Sequence, residues 1–205
     1  RGTPPLVAEP GMPTVGELAV NLSVSTVPDW PTWLSWEQAL LEGAFRDSPQ
    51  LEQVAKQLGR GDPGPEERLE RIHAFVMEEI RYQQDYESVI AGVKPHPAPV
   101  TLERRYGDCK DKAVLFIQLA RHLGLEAHFA LVRTRDVGPV REAVPMQQFN
   151  HAIVYVPAQA GVAARFFDPT AELLDLAAVR ADDVGTRALV FDPATGTHAW
   201  RDIPF

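Results

Sequence analysis

A single cysteine, Cys109, stands in this chain of 205 residues, in a setting that suits chemistry better than packing. The stretch 109–123 reads as the strongest helix in the sequence, and Cys109 opens it. Unpaired backbone N–H groups and the positive end of the helix dipole at such a position favour a thiolate. Asp108, Lys110, Asp111 and Lys112 surround it, away from the apolar stripe of Ala113, Phe116, Ile117 and Ala120, and Gly107 before it leaves room for another backbone to approach. A lone free cysteine is most often a small core hydrophobe, and the charged company argues against that role here.

A nucleophilic sulfur needs a base, and the base needs orienting. His151 opens one strand-like run and Asp168 closes the next, with Pro157–Val162 as the turn between them. A symmetric hairpin would be centred between Gln159 and Ala160 and would set the two residues directly opposite one another. Their Cβ atoms would then lie about 4.5–5.5 Å apart, near enough for the carboxylate to hold an imidazole N–H. A slip of one residue would turn one of them to the other face. The three would form a thiol nucleophile, a general base and acid, and an orienting carboxylate, suited to attack on a carbonyl carbon. An oxyanion hole needs at least two donors. The Cys109 backbone N–H is one candidate, and Tyr82, Gln83 or Gln84 could supply the second.

The elements that must position these groups can be read in outline. Residues 1–32 are rich in Pro and Gly, with β-like stretches such as Leu18–Val24, and read as a linker or the tail of a preceding β domain. The pattern turns helical over 33–58, breaks at Gly59–Pro65, and resumes as a helix opened by Pro65, Glu66 and Glu67. Residues 83–102 read as an irregular loop, since Lys94–Pro99 carries three prolines. After the Cys109 helix, stopped by Gly124, the pattern is strand-like at 127–133, 151–156, 164–168, 188–191 and 197–200. Helices followed by strands argue for an α+β fold with an antiparallel sheet, with 33–205 as the catalytic domain.

Composition narrows the class. Twenty basic against 28 acidic residues give a formal charge of −8, with no basic stripe, so nucleic acid is not an expected partner. No apolar run approaches the roughly 20 residues needed to span a bilayer. One cysteine excludes an intrachain disulfide and any cysteine-based zinc site. His73, His96, His122, His128, His151 and His198 are scattered, without an HExxH pair, so neither a metal nor a cofactor is expected. Arg1 in place of an initiator Met suggests a fragment or processed product.

Three blocks carry a resemblance: 105–113 (RYGDCKDKA), 148–154 (QFNHAIV) and 167–171 (FDPTA). They are similar to the core of the bacterial transglutaminase-like superfamily, in the order Cys, His, Asp, and to the subgroup in which an N-terminal β domain precedes that core. Ile80–Tyr82 and Lys94–Ala98 fit the same subgroup, whereas Gln83–Glu87 departs from its expected apolar, Gly-containing stretch. The resemblance implies a papain-like α+β fold, with Cys109 on a central helix packed on an antiparallel sheet bearing His151 and Asp168. It also implies Cys109 as nucleophile, His151 as general base and acid, and Asp168 as the orienting carboxylate. A periplasmic or secreted setting for the full-length protein is expected from the company such domains keep.

The expected reaction is acyl transfer through a thioester on a peptide or protein substrate, with hydrolysis favoured because water is the default acceptor. Transglutamination to an amine and a catalytically silent binding module are the alternatives. His96 and Asn150 are candidate substrate-cleft residues, the segments 83–102 and 134–149 are expected to line the cleft, and Arg133, Arg135 and Arg141 could meet an acidic substrate. Oligomeric state leaves no trace in the sequence.

Overall fold

The computed structural model describes residues 5, 7, 9, 10, 12–84, 89–171, 176, 178–192 and 194–205. Six α-helices and seven strands are assigned among them: α1 (Val15–Leu18), α2 (Trp30–Glu42), α3 (Pro49–Leu58), α4 (Pro65–Glu79), β1 (Arg81–Tyr82), α5 (Ala98–Arg104), β2 (Tyr106–Gly107), α6 (Cys109–His122), β3 (His128–Val132), β4 (His151–Val156), β5 (Arg165–Phe167), β6 (Arg187–Phe191) and β7 (His198–Asp202). The last five form an antiparallel sheet in the order β5-β4-β3-β6-β7. The molecule is α+β, with its helices ahead of its main sheet.

Helix α6 is the axis of the core. Residues Ala113–Ile117, Leu119 and Ala120 are all buried, so the helix is apolar nearly all round, as a central helix must be. It packs on β4, α4, α5 and α3. Its start is fixed by a capping box: Asp108 accepts from the Asp111 amide while the Asp111 side chain accepts from the Asp108 amide. It stops at Gly124, whose φ of +74° an L side chain would resist.

Strand alternation divides the sheet into two faces. Ala152, Val154 and Val156 join the core shared with α6, whereas Ile153 and Tyr155 pack with Phe166, Val190 and Ile203 on the other side.

Several expectations need correction. The helical stretch 33–58 is two helices, because Gly43 ends α2 and Ser48-Pro49 opens α3 with Ser48 as N-cap. The prolines of 94–99 do not keep that whole segment irregular: Pro97 caps α5 and Pro99 lies in its first turn, where a missing N–H costs nothing. The β-like run Leu18–Val24 joins no strand; Val15–Leu18 is a short helix, and Val20, Leu22 and Val24 are exposed. Part of the departure at 83–87 lies outside the described residues.

Candidate active site

Cys109 is the first residue of α6, half-buried at the edge of the core. Gly107 is favoured for a different reason from the one its sequence position suggests. A Cβ there would meet the Asp111 Cβ at 2.7 Å and Thr101 Cγ2 at 3.1 Å, so side chains rather than a passing backbone crowd it. Lys110 does not present free charge to the sulfur; it is buried and paired with Asp108. Lys112 is fully buried and acts electrostatically on His73.

His151 is the first residue of β4, and its ring is buried. Nε2 lies 3.0 Å from Asp168 Oδ2, and the ring also hydrogen-bonds the Cys109 side chain. With Nε2 turned to the carboxylate, Nδ1 is left for the sulfur. The hairpin behind this contact is not the symmetric one expected. Val154 pairs with Phe167 and Val156 with Arg165, and the outermost bridge is Gln159 with Val162. Ala160 and Gly161 therefore form the turn, Gly161 taking φ +80°. This register points Asp168 at Ile153, two residues along from His151, so the pair is diagonal rather than opposed. The offset is even, so both side chains keep the same face, and a diagonal neighbour is within reach of an imidazole.

Thr170 holds the other carboxylate oxygen. Its backbone N–H and its hydroxyl both donate to Asp168 Oδ1, at 2.9 and 2.7 Å. From α4, His73 hydrogen-bonds the Asp168 backbone. Burial by itself would push His151 down, but hydrogen bonds to Asp168 and Cys109 and their charges outweigh it and lift the ring to about 10. Burial likewise pushes Asp168 up, yet the His151 hydrogen bond and charge, with Thr170, hold it below the ordinary carboxylate range. Residue types and spacing flagged His151 and Asp168; Thr170 and a further buried acid, Asp183, carried no spacing signal. Asp183 Oδ2 lies 3.9 Å from His151 Nε2.

The remaining expected site residues separate. Tyr82 in β1 pairs with Gly107 in β2, and its phenol is pushed up to about 12 by burial, then by the charges of Cys109 and Asp108. It therefore lies near the sulfur, with Gln84 bonded to it. Gln83 instead accepts from Arg81 at 2.6 Å, its backbone tied to Gly107. His96 braces the start of α6: its backbone N–H donates to Asp111 Oδ1 at 2.8 Å and its ring meets Oδ2 at 3.2 Å. Asn150 closes the base of the 134–149 segment, accepting from the Thr134 amide and donating to its hydroxyl. Arg133 donates to the carbonyls of Val137, Gly138 and Gln148 and so braces the segment itself, whereas Arg141 donates to Ser23 and the Gly16 carbonyl and ties the segment to the N-terminal stretch. Trp30, Trp33, Phe149 and Trp200 pack edge-on and tilted against one another, with Phe149 two residues before His151.

A cysteine heading a central helix, beside an antiparallel sheet that carries a histidine, defines a papain-like α+β arrangement. Residues 52–203 match the model of the transglutaminase-like superfamily, and the chain belongs to that superfamily. A crystal structure of a candidate protease from Parabacteroides distasonis superposes with a TM-score of 0.63 at 14% identity, over 87% of this chain. This chain spans about a third (32%) of that protein's length. A candidate cysteine protease from Cytophaga hutchinsonii is more distant in shape, at a TM-score of 0.44 and 20% identity, over 75% of this chain and 48% of its own. Among curated proteins, none matches this sequence. At the superfamily level, the family match supports a cysteine-dependent peptidase or acyltransferase; the likeness to the Parabacteroides structure shows the fold. No described helix is long and apolar enough to cross a membrane.

Proposed function

We propose that the chain is a cysteine-dependent hydrolase of peptide or amide bonds, acting through a thioester on Cys109. The observation that carries this reading is the His151 ring, bonded on one side to the Cys109 side chain and at 3.0 Å on the other to Asp168. In the first step the imidazole holds the thiol proton, the sulfur attacks the carbonyl carbon, and the C–N bond breaks as the proton passes to the leaving amine. In the second, water attacks the thioester, its proton goes to His151, and the C–S bond breaks to return the sulfur and release the acid.

The Cys109 amide, at a helix start where amides lack intrahelical acceptors, suits the oxyanion, and the Tyr82 phenol near the sulfur is the second donor that the contacts favour. Residues 33–205 would form the catalytic unit, on a peptide or protein substrate. A chloromethyl ketone or amide-electrophile panel should label the chain at Cys109 and leave Cys109→Ala unlabelled. If wild type stays inert to the panel and to iodoacetamide at neutral pH, the enzyme reading fails in favour of a silent binding module. An added primary amine that captures the acyl group in place of water would convert the reading to transamidation.

A further inference from the structure

Asp183 lies in the run of turns 181–185, fully buried, and neither of its carboxyl oxygens has a hydrogen-bond partner among the described residues. A buried carboxyl without a partner is costly and uncommon. It is not a loose end. Its amide donates to the Arg180 carbonyl at 3.0 Å, its own carbonyl accepts from Thr186, and Gly185 and Thr186 are laced to Ile203 beyond β7. The backbone therefore clamps the side chain where it is, with Oδ2 3.9 Å from Nε2 of His151.

We infer that Asp183 is a positioning residue for the His151 ring: a second carboxyl beside Nε2 that holds the imidazolium charged and keeps Nδ1 turned to Cys109. The inference rests on the proposed reading of His151 as the acid-base group, and its readout is the ring itself. A separation of 3.9 Å is too long for a hydrogen bond, but a ring tilt of about 1 Å would make one. With Asp168 at 3.0 Å, the N–H has a carboxylate on either side of a small rocking motion. Both groups are buried, so their attraction is screened less than between exposed charges.

The groups that face this pair come from every neighbouring element. Asp168 follows β5, Cys109 heads α6, and Arg180 and Asp182 belong to the turns around Asp183 itself. Tyr82 of β1 feels Cys109 and Arg180, and His73 of α4 touches Asp168. Burial pushes the Asp183 acid up to about 7; the His151 charge opposes this, and Asp168 and Asp182 reinforce it. The two titrations are therefore linked: when the ring gives up its proton, Asp183 loses the cation that stabilises its anion.

The test follows His151 ring signals by NMR in the full chain with ¹⁵N-labelled histidine, across a titration of wild type and Asp183→Asn. In the variant the His151 midpoint should fall by about one unit or more, while the other histidines keep theirs. In wild type the His151 signals should show an extra inflection near neutrality as Asp183 titrates. An unmoved His151 midpoint in a folded Asp183→Asn protein overturns the inference. If that variant does not fold, wild type decides alone, and a single inflection overturns it. A shifted midpoint in a protein whose Cys109 is inert would support this role and sink the proposed function; an unmoved midpoint in an active enzyme would do the reverse.

Discussion

Asp111 occupies the space that a side chain on Gly107 would need: the Cβ atoms would lie 2.7 Å apart, closer than packed carbons come. The same Asp111 caps α6 and receives both the backbone and the ring of His96. Gly107→Ala should therefore displace the helix start that carries Cys109, not merely crowd it. We expect a stability loss of about 1–3 kcal/mol in urea unfolding, and slower alkylation of Cys109 in protein that is still folded. Wild-type stability and alkylation rate in this variant would show that the helix start tolerates the shift.

Thr170 is the tether of Asp168, giving its carboxylate two of the three hydrogen bonds it accepts among the described residues. Thr170→Val keeps the shape and the backbone donor but removes the hydroxyl. One bond to a charged acceptor is worth about 1.5–3 kcal/mol at most, and only part of it bears on the reaction. Turnover of any substrate found should drop by roughly tenfold, with Asp168 titrating at higher pH. Thr170→Ser should restore both.

How much of this was legible beforehand is clearest in the β4–β5 hairpin. The sequence shows a histidine and an aspartate flanking a turn, and their types and alternation suffice to put them on one face. It does not show which two residues form the turn tip. Gly161 can take φ +80° and so claims the tip with Ala160, moving the register by two and making the contact diagonal. Asp183 was illegible for a different reason. It comes from a run of turns without periodicity, and only the folding of 180–186 against Ile203 brings it to His151. The break between α2 and α3 was legible from Ser48-Pro49, which outweighs the helical spacing on either side.

Arg133 donates three hydrogen bonds to carbonyls within the 134–149 segment, and Asn150 ties the segment's two ends together. The segment contains no helix or strand of its own, so it is ordered by these bonds together with the aromatic cluster at Phe149 and its ties to the N-terminal stretch through Ser25, Trp30 and Arg141. Arg133→Lys keeps the charge but loses the planar fork that reaches several carbonyls at once. Amide hydrogen exchange over 134–149 should quicken by about tenfold or more, with α6 and β3 unaffected. Exchange spread evenly over the chain would mean a global loss of stability instead.

Glu37 makes the stability of the fold depend on pH. It lies on the buried face of α2, 1% exposed, with Oε2 unpartnered among the described residues, and burial pushes its acid from 4.5 up to about 7. A carboxyl raised in the folded state binds its proton more tightly there than in the unfolded chain, so stability falls as pH climbs from 4.5 through 7. Asp183, raised from 3.8 to about 7 by burial, acts in the same sense. His151 adds to it: its stabilisation is complete below its ordinary value of 6.5 and fades as pH rises toward about 10. Asp168, held low, contributes above 3.8 and fails only in acid. Urea unfolding should therefore show maximal stability in the mildly acid range and a steady decline into the alkaline. Glu37→Gln removes one of these contributions, so its advantage over wild type should be small near pH 5 and grow above pH 7 to on the order of 3 kcal/mol. A stability difference independent of pH would mean that Glu37 ionises as freely in the folded protein as in the unfolded one, and that its burial is relieved by groups the packing does not reveal.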